Sequence, residues 1–132
     1  HKEKLLSLLS YVEILFVNRD EAKELWGIDY SDEALWKSSQ SLPGAYVTVI
    51  TDGARGGKVS INGKVSFFEA EKVKKVVDTT GAGDAFASGM VAGVLYGKTY
   101  EQSITWGVKN ATSVLAYVGA KKGLLRLSEI HK

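Results

Sequence analysis

The chain has 132 residues, enough for one domain, and 45% of them are hydrophobic, enough for a core. Its 17 basic and 15 acidic residues leave a net charge of +2, too mild to imply a nucleic-acid or membrane-surface partner. With no cysteine, and with His1 and His131 at the termini, disulfides, thiolate metal sites, histidine triads and zinc sites are excluded as expectations.

Residues 2–10 read as a helix with leucines at 5, 6, 8 and 9. An apolar helix at the start of a chain suits the middle of a larger domain. Ile14-Leu15-Phe16-Val17 is a short apolar run, the pattern of a strand buried on both faces of a parallel sheet. Asn18 then opens a helix from Arg19 to about Trp26, stopped by Gly27. Asn18 and Glu21 have the N-cap and N3 spacing of a capping box. A second helix is expected over Ser31–Gln40, with Ser31 as its N-cap, Trp36 on its packed side, and Pro43-Gly44 ending it.

Ala45 to Ile50 is the next strand. It runs out into Thr51-Asp52-Gly53-Ala54-Arg55-Gly56-Gly57, a glycine-rich turn at a carboxyl strand end, where ligands gather in open α/β sheets. Lys58 to Ile61 and Lys64 to Phe68 flank Asn62-Gly63, the strongest short signal for a hairpin. No chemistry is assigned to it. Val73 to Val77 reads as extended, with the lysines at 72, 74 and 75 on a solvated strand face.

The most informative stretch is Asp78-Thr79-Thr80-Gly81-Ala82-Gly83-Asp84, followed by the small-residue helix Ala82 to about Tyr96, with Gly97 at its end. Bare backbone N–H groups at a helix start form an anion site, and the helix dipole adds partial positive charge there. An acid at that mouth would repel an anion. Asp84 makes sense there as a group that takes a proton from an attacking hydroxyl. A plain helix-entry turn would use the same glycines. A dinucleotide fingerprint needs Gly or Ala where Phe86 stands, so a Rossmann-type oxidoreductase fits poorly. A P-loop fails as well, since Val59 follows Gly57-Lys58. Asp78 itself has two readings from the residues and the motif together. It caps the turn by accepting from the N–H groups of Thr80 and Gly81, or it takes the cation role described below.

The interior glycines of the helix from Ala82 cost about 1 kcal/mol each against alanine, and close approach to neighbours is the compensation, so this helix is placed centrally. Tyr100 to Tyr117 is the next helix, with Ile104, Val108, Ala111, Leu115 and Val118 at helical spacing. Gly119-Ala120 ends it, and Leu124 to Lys132 carries a last short turn or helix.

Position by position, Asp78 to Asp84 resembles the second signature of the ribokinase (PfkB-type) carbohydrate kinase family, Asp-Thr-x-Gly-Ala-Gly-Asp. The resemblance covers nearly the whole chain but only the C-terminal part of the family's pattern. It implies an α/β, ribokinase-like fold: a mainly parallel central sheet flanked by helices, with an antiparallel hairpin. It implies that 1–132 is the nucleotide-binding part, without the N-terminal part that carries the sugar signature and lid. Gly81, Ala82 and Gly83 would form the anion hole and Asp84 would be the base. Asn18 and Glu21 match the family's Asn-x-x-Glu motif, with Glu21 reaching Mg²⁺ through water. Thr51, Gly53 and Gly56 match Thr-x-Gly-x-x-Gly at the nucleotide, and Asn110 and Gly119 lie toward the adenine. In some members the acid at the Asp78 position helps hold a monovalent cation such as K⁺.

The implied reaction is transfer of the γ-phosphoryl group of ATP to a sugar or nucleoside hydroxyl. The alternative is a nucleotide- or phosphate-binding fragment without catalysis. The partners implied are ATP and a small sugar-like substrate, with neither nucleic acid nor membrane. A truncated sheet would expose apolar surface and pair with another copy, giving a homodimer. No signal peptide or membrane span is apparent, so a cytoplasmic location is expected.

Overall fold

The computed structural model describes residues 1–131 and divides the chain into two units, His1–Glu69 and Ala70–Lys132. In the first, α1 (Lys2–Leu8) continues into a 3-10 turn at Leu9–Tyr11. Strand β1 (Ile14–Asn18) leads directly into α2 (Arg19–Trp26). The junction is a full capping box. Asn18 Oδ1 accepts the Glu21 N–H and Glu21 Oε2 accepts the Asn18 N–H, both at 2.8 Å. Two orphan amides of the first turn are thereby satisfied. Gly27, at φ 72°, ends α2 in the left-handed conformation that glycine adopts without strain.

Helix α3 (Glu33–Lys37) is shorter than the expected Ser31–Gln40, and its N-cap is Asp32 rather than Ser31. The reason is local. Ser31 spends both its N–H and its hydroxyl on Asp29 Oδ1, which closes a turn, and Asp32 Oδ1 is left to accept the Leu35 N–H. Trp36 is buried, edge-on to Tyr30 with ring centres 6.5 Å apart.

Strands β2 (Val47–Thr51), β3 (Gly57–Ile61) and β4 (Lys64–Phe68) complete a sheet of order β1-β2-β3-β4. The β1–β2 pair is parallel and the other two pairings are antiparallel, so the sheet is mixed. The hairpin turn has positive φ at both Asn62 (47°) and Gly63 (80°), which matches the right-handed twist of its strands. β1 has a single strand neighbour, and only Val17 in it is buried. The expectation of burial on both faces does not hold within these residues. The central β2 is buried from Val47 to Ile50. Ile50, with no exposure, joins Val17, Ala22, Tyr30, Trp36 and Leu42 in the core of this unit. Full burial of such a side chain contributes about 1.5–3 kcal/mol.

One charged side chain enters this region. Lys58 is 1% exposed, and its Nζ donates to the Leu35 carbonyl at 3.1 Å. The rings of Tyr30 and Phe67 lie 5.3 and 5.8 Å from that ammonium. Burial lowers its pKa. A cation on the last carbonyls of a short helix is favourable, as is one against aromatic faces.

In the second unit no strand occurs from Ala70 to the helices. The extended segment before Asp78 is therefore not a strand, and Lys72, Lys74 and Lys75 are exposed coil residues rather than a strand face. Val77 N–H and Asp78 N–H instead donate to the Leu115 carbonyl at 2.8 and 3.4 Å. Helix α4 (Ala82–Leu95) and helix α5 (Tyr100–Val114) pack closely, and α6 (Leu127–Ile130) ends the chain. The small residues are needed at this packing. A Cβ on Gly89 would lie 2.8 Å from the Trp106 carbonyl oxygen, one on Gly93 2.7 Å from Ser103 Oγ, and one on Gly107 2.8 Å from the Phe86 carbonyl oxygen. Close backbone approach offsets the helix-forming cost of glycine. Helix α5 ends at Val114, and Val118 is 72% exposed. Its buried face is Ser103, Ile104, Trp106, Gly107, Asn110 and Val114, not the apolar stripe expected through Val108 and Leu115.

Candidate functional site

The candidate residues divide between the two units. In the first, the parallel register sets Asn18 opposite Thr51, so the carboxyl ends of β1 and β2 present both together. Glu21 stands one turn along α2, with Oε2 held in the capping box and Oε1 without a partner among the described residues. After Thr51 the chain makes a tight 3-10 turn over Gly53–Arg55, closed by the Asp52 N–H donating to the Gly56 carbonyl at 2.8 Å. Gly53 (φ 54°) faces open space, and Gly56 (φ 85°, ψ −126°) has a conformation that only glycine adopts readily.

Sequence reasoning missed the ion pairs of this edge. Asp52 Oδ2 accepts from Arg19 Nη1 at 3.0 Å and from Arg55 Nε. Arg55 also lies 3.6 Å from Glu33 and over the Trp36 ring at 5.9 Å. Arg19 and Asp52 each follow one member of the Asn18–Thr51 pair, so the register carries the signal once the two strands are paired. Gly57 was also missed as a requirement. A Cβ there would fall 2.2 Å from the Phe68 ring.

In the second unit the turn is anchored on Asp78. Its Oδ1 accepts the Thr80 N–H at 2.9 Å and the Thr80 hydroxyl at 2.7 Å, and its Oδ2 accepts the Gly119 N–H at 3.0 Å. Of the two readings left open above, the turn cap is formed, with Gly119 in place of Gly81 as its second anchor. These donors, the Thr80 hydroxyl first, hold the Asp78 carboxyl down at about 2. Gly81 is the N-cap of α4 at φ 79°, and a Cβ on it would lie 2.6 Å from that of Ala120. Ala82 N–H donates to the Thr79 carbonyl and Ala85 N–H to that of Gly81. The N–H groups of Gly83 and Asp84 between them have no acceptor among the described residues. Asp84 is exposed, at the N3 position of the helix, and its carboxylate has no hydrogen bond or ion pair there.

Asn110 is buried and fully engaged. Its amide donates to the Ala85 carbonyl at 2.8 Å and to Ser88 Oγ at 3.3 Å, and its Oδ1 accepts the Leu125 N–H at 2.9 Å. It ties α4, α5 and the C-terminal segment together rather than facing solvent.

These residues fit a phosphate group. Gly83 has an ordinary backbone, and a Cβ on it would meet nothing within 4 Å. The chain's own packing does not demand glycine there, so its bareness keeps open the space at two uncommitted amides on a helix N-terminus. They also fit magnesium in a limited sense. No group of three or more His, Cys, Asp or Glu side chains is arranged for a metal among the described residues. A single carboxylate oxygen such as Glu21 Oε1 suits an ion that keeps most of its waters. No helix among the described residues is long and apolar enough to cross a membrane.

Residues 1–126 match the family described as pfkB family carbohydrate kinase. The chain is 36% identical over 119 residues to the ATP-dependent 6-phosphofructokinase of Thermoanaerobacterium thermosaccharolyticum, covering 90% of this chain and 36% of that protein. It is 37% identical over 117 residues to the cytidine kinase of Thermococcus kodakarensis, covering 86% of this chain and 41% of that one. The structure of Arabidopsis thaliana ribokinase complexed with ribose and ATP superposes with a TM-score of 0.78 at 25% identity, over 96% of this chain and 42% of that chain. The architecture is thus the ribokinase-like α/β fold, and the chain spans about 36–42% of the length of these three proteins.

Proposed function

This chain belongs to the pfkB family of carbohydrate kinases, and from that premise we propose that it supplies the phosphate-handling residues of an ATP-dependent kinase acting on a sugar or nucleoside hydroxyl. The observation that carries the proposal is the first turn of α4. Two amides without acceptors stand there beside an acid without a partner, on the positive end of a helix dipole. A plain helix entry would also favour an acid in its first turn, and what it does not call for is the bare Gly83 beside two open amides.

In this reading the Gly83 and Asp84 N–H groups, in a turn shaped by Gly81 and Ala82, hydrogen-bond the oxygens of the transferring phosphoryl group. They meet the charge that develops there without reorganising. The Asp84 carboxylate accepts the proton of the acceptor hydroxyl as that oxygen bonds to the terminal phosphorus and ADP leaves. Magnesium, when bound, neutralises phosphate charge, and Glu21 Oε1 would hold it through water. Asn18 keeps Glu21 in place through the capping box. Thr51, Gly53 and Gly56 present backbone and a hydroxyl at the strand end, where the nucleotide phosphates are proposed to lie. Asn110 and Gly119 serve the adenine side through the packing they maintain.

The supporting relatives act on unlike acceptors: one is named a 6-phosphofructokinase and another a cytidine kinase. The test is a coupled assay of ADP release with Mg·ATP and a panel of sugars, sugar phosphates and nucleosides, on the whole protein that carries this chain. Release that depends on one acceptor class is expected. Saturable Mg·ATP binding with no acceptor-dependent release would contradict the kinase reading and leave a nucleotide-binding fragment.

A further inference from the structure

We propose that Asp78 is a positioning residue, a latch that fastens the loop over residues 117–123 to the turn presenting the Gly83 and Asp84 amides. The proposal rests on the phosphate-binding reading of that turn for its kinetic consequence, though the latch itself can be read without it. Three donors converge on the one carboxylate, and they come from two segments, 2 and 41 positions along the chain from Asp78. Thr80 N–H and hydroxyl take one oxygen, and Gly119 N–H takes the other. Hydrogen bonds to an ionised acceptor are roughly twice as strong as neutral ones.

Everything around the carboxylate repeats the same coupling. Just before it, Val77 N–H and Asp78 N–H hold the Leu115 carbonyl at the end of α5. Just after it, Gly81 lies so close to Ala120 that a Cβ would fall 2.6 Å from the Ala120 Cβ. The far end of the loop is fixed as well, by Ser113 Oγ donating to the Gly123 carbonyl at 2.6 Å. Gly119 (φ 91°) presents its N–H from a left-handed conformation, so the loop is bent to reach the carboxylate. With both oxygens occupied by protein donors, Asp78 spans the two segments as a side-chain bridge. The loop and the amide turn are therefore held as one piece, and loosening one disturbs the other.

The test combines amide hydrogen exchange with steady-state kinetics on wild type, Asp78→Ala and Asp78→Asn, with and without potassium. In wild type the Gly119 and Thr80 amides should exchange slowly without potassium. In Asp78→Ala both should exchange at least about tenfold faster, the worth of one charge-assisted bond. With Mg·ATP, kcat should fall about tenfold by the same measure while KM moves less, because the latch positions the amides that meet the charge developing during transfer. Asp78→Asn keeps one acceptor oxygen and should fall between the two, which keeps the test open if the alanine variant fails to fold. A Gly119 amide as unprotected in wild type as in a free loop would overturn the latch. So would an unchanged kcat in Asp78→Ala, or a Gly119 amide left open while potassium raises kcat only when Asp78 is present. If wild type shows no turnover at all, the kinase reading fails and the exchange data alone decide the latch.

Discussion

The two units carry their candidate groups in opposite states. In His1–Glu69 the polar residues at the strand ends are tied up by one another: Asn18 and Glu21 cap α2, and Asp52 sits between Arg19 and Arg55. In Ala70–Lys132 the anchoring is done by Asp78 and Asn110, and the groups nearest the proposed chemistry, the Gly83 and Asp84 amides and the Asp84 carboxylate, have no partners among the described residues. The contrast separates residues that hold a shape from residues kept free to act. A carboxylate already committed to three donors, as Asp78 is, has a depressed pKa and is a poor proton acceptor. A free carboxylate beside open amides is not committed in advance.

Substitution can break that division, and the largest effect is expected where nothing is tied. Asp84→Asn should lower kcat by about 10²–10⁴-fold, the usual worth of a general base. Its melting temperature should stay close to wild type, since the side chain is exposed and makes no bond in the fold. A loss of stability without a loss of kcat would place Asp84 among the structural acids instead. At the other end, Asn18→Ala should cost about 1 kcal/mol of stability, seen in urea denaturation, because it removes one half of the capping box. If Asn18→Ala instead leaves stability untouched and removes only magnesium dependence, the capping role assigned to the first unit is wrong.

Local signals in the sequence were enough for much of the fold. Asn18 and Gly27 bound α2, and Asn62-Gly63 turns the hairpin, because each acts within a few residues of itself. The turn at the start of α4 was legible for the same reason, as a short run that ends in a helix start. What escaped was set at a distance or by competition. Ser31 and Asp32 are both good N-caps, and only the Asp29 turn decides between them. The buried face of α5 includes Asn110, which hydrophobic spacing places outside the core because it is polar. Its burial depends on acceptors and donors on α4 and the C-terminal segment. The Arg19–Asp52 and Asp78–Gly119 contacts join residues 33 and 41 positions apart, and no local pattern announces either.

Gly83 gives the most direct test of the central claim, that the open turn exists to receive phosphate. Its backbone is ordinary and a Cβ on it would meet nothing within 4 Å. Valine is no worse a helix former than glycine, so Gly83→Val should fold with wild-type stability. Calorimetric titration of both proteins with Mg·ATP should show affinity falling by about 10–100-fold in the variant, the loss of a charge-assisted hydrogen bond or more. A folded Gly83→Val protein that binds Mg·ATP as tightly as wild type would contradict the claim.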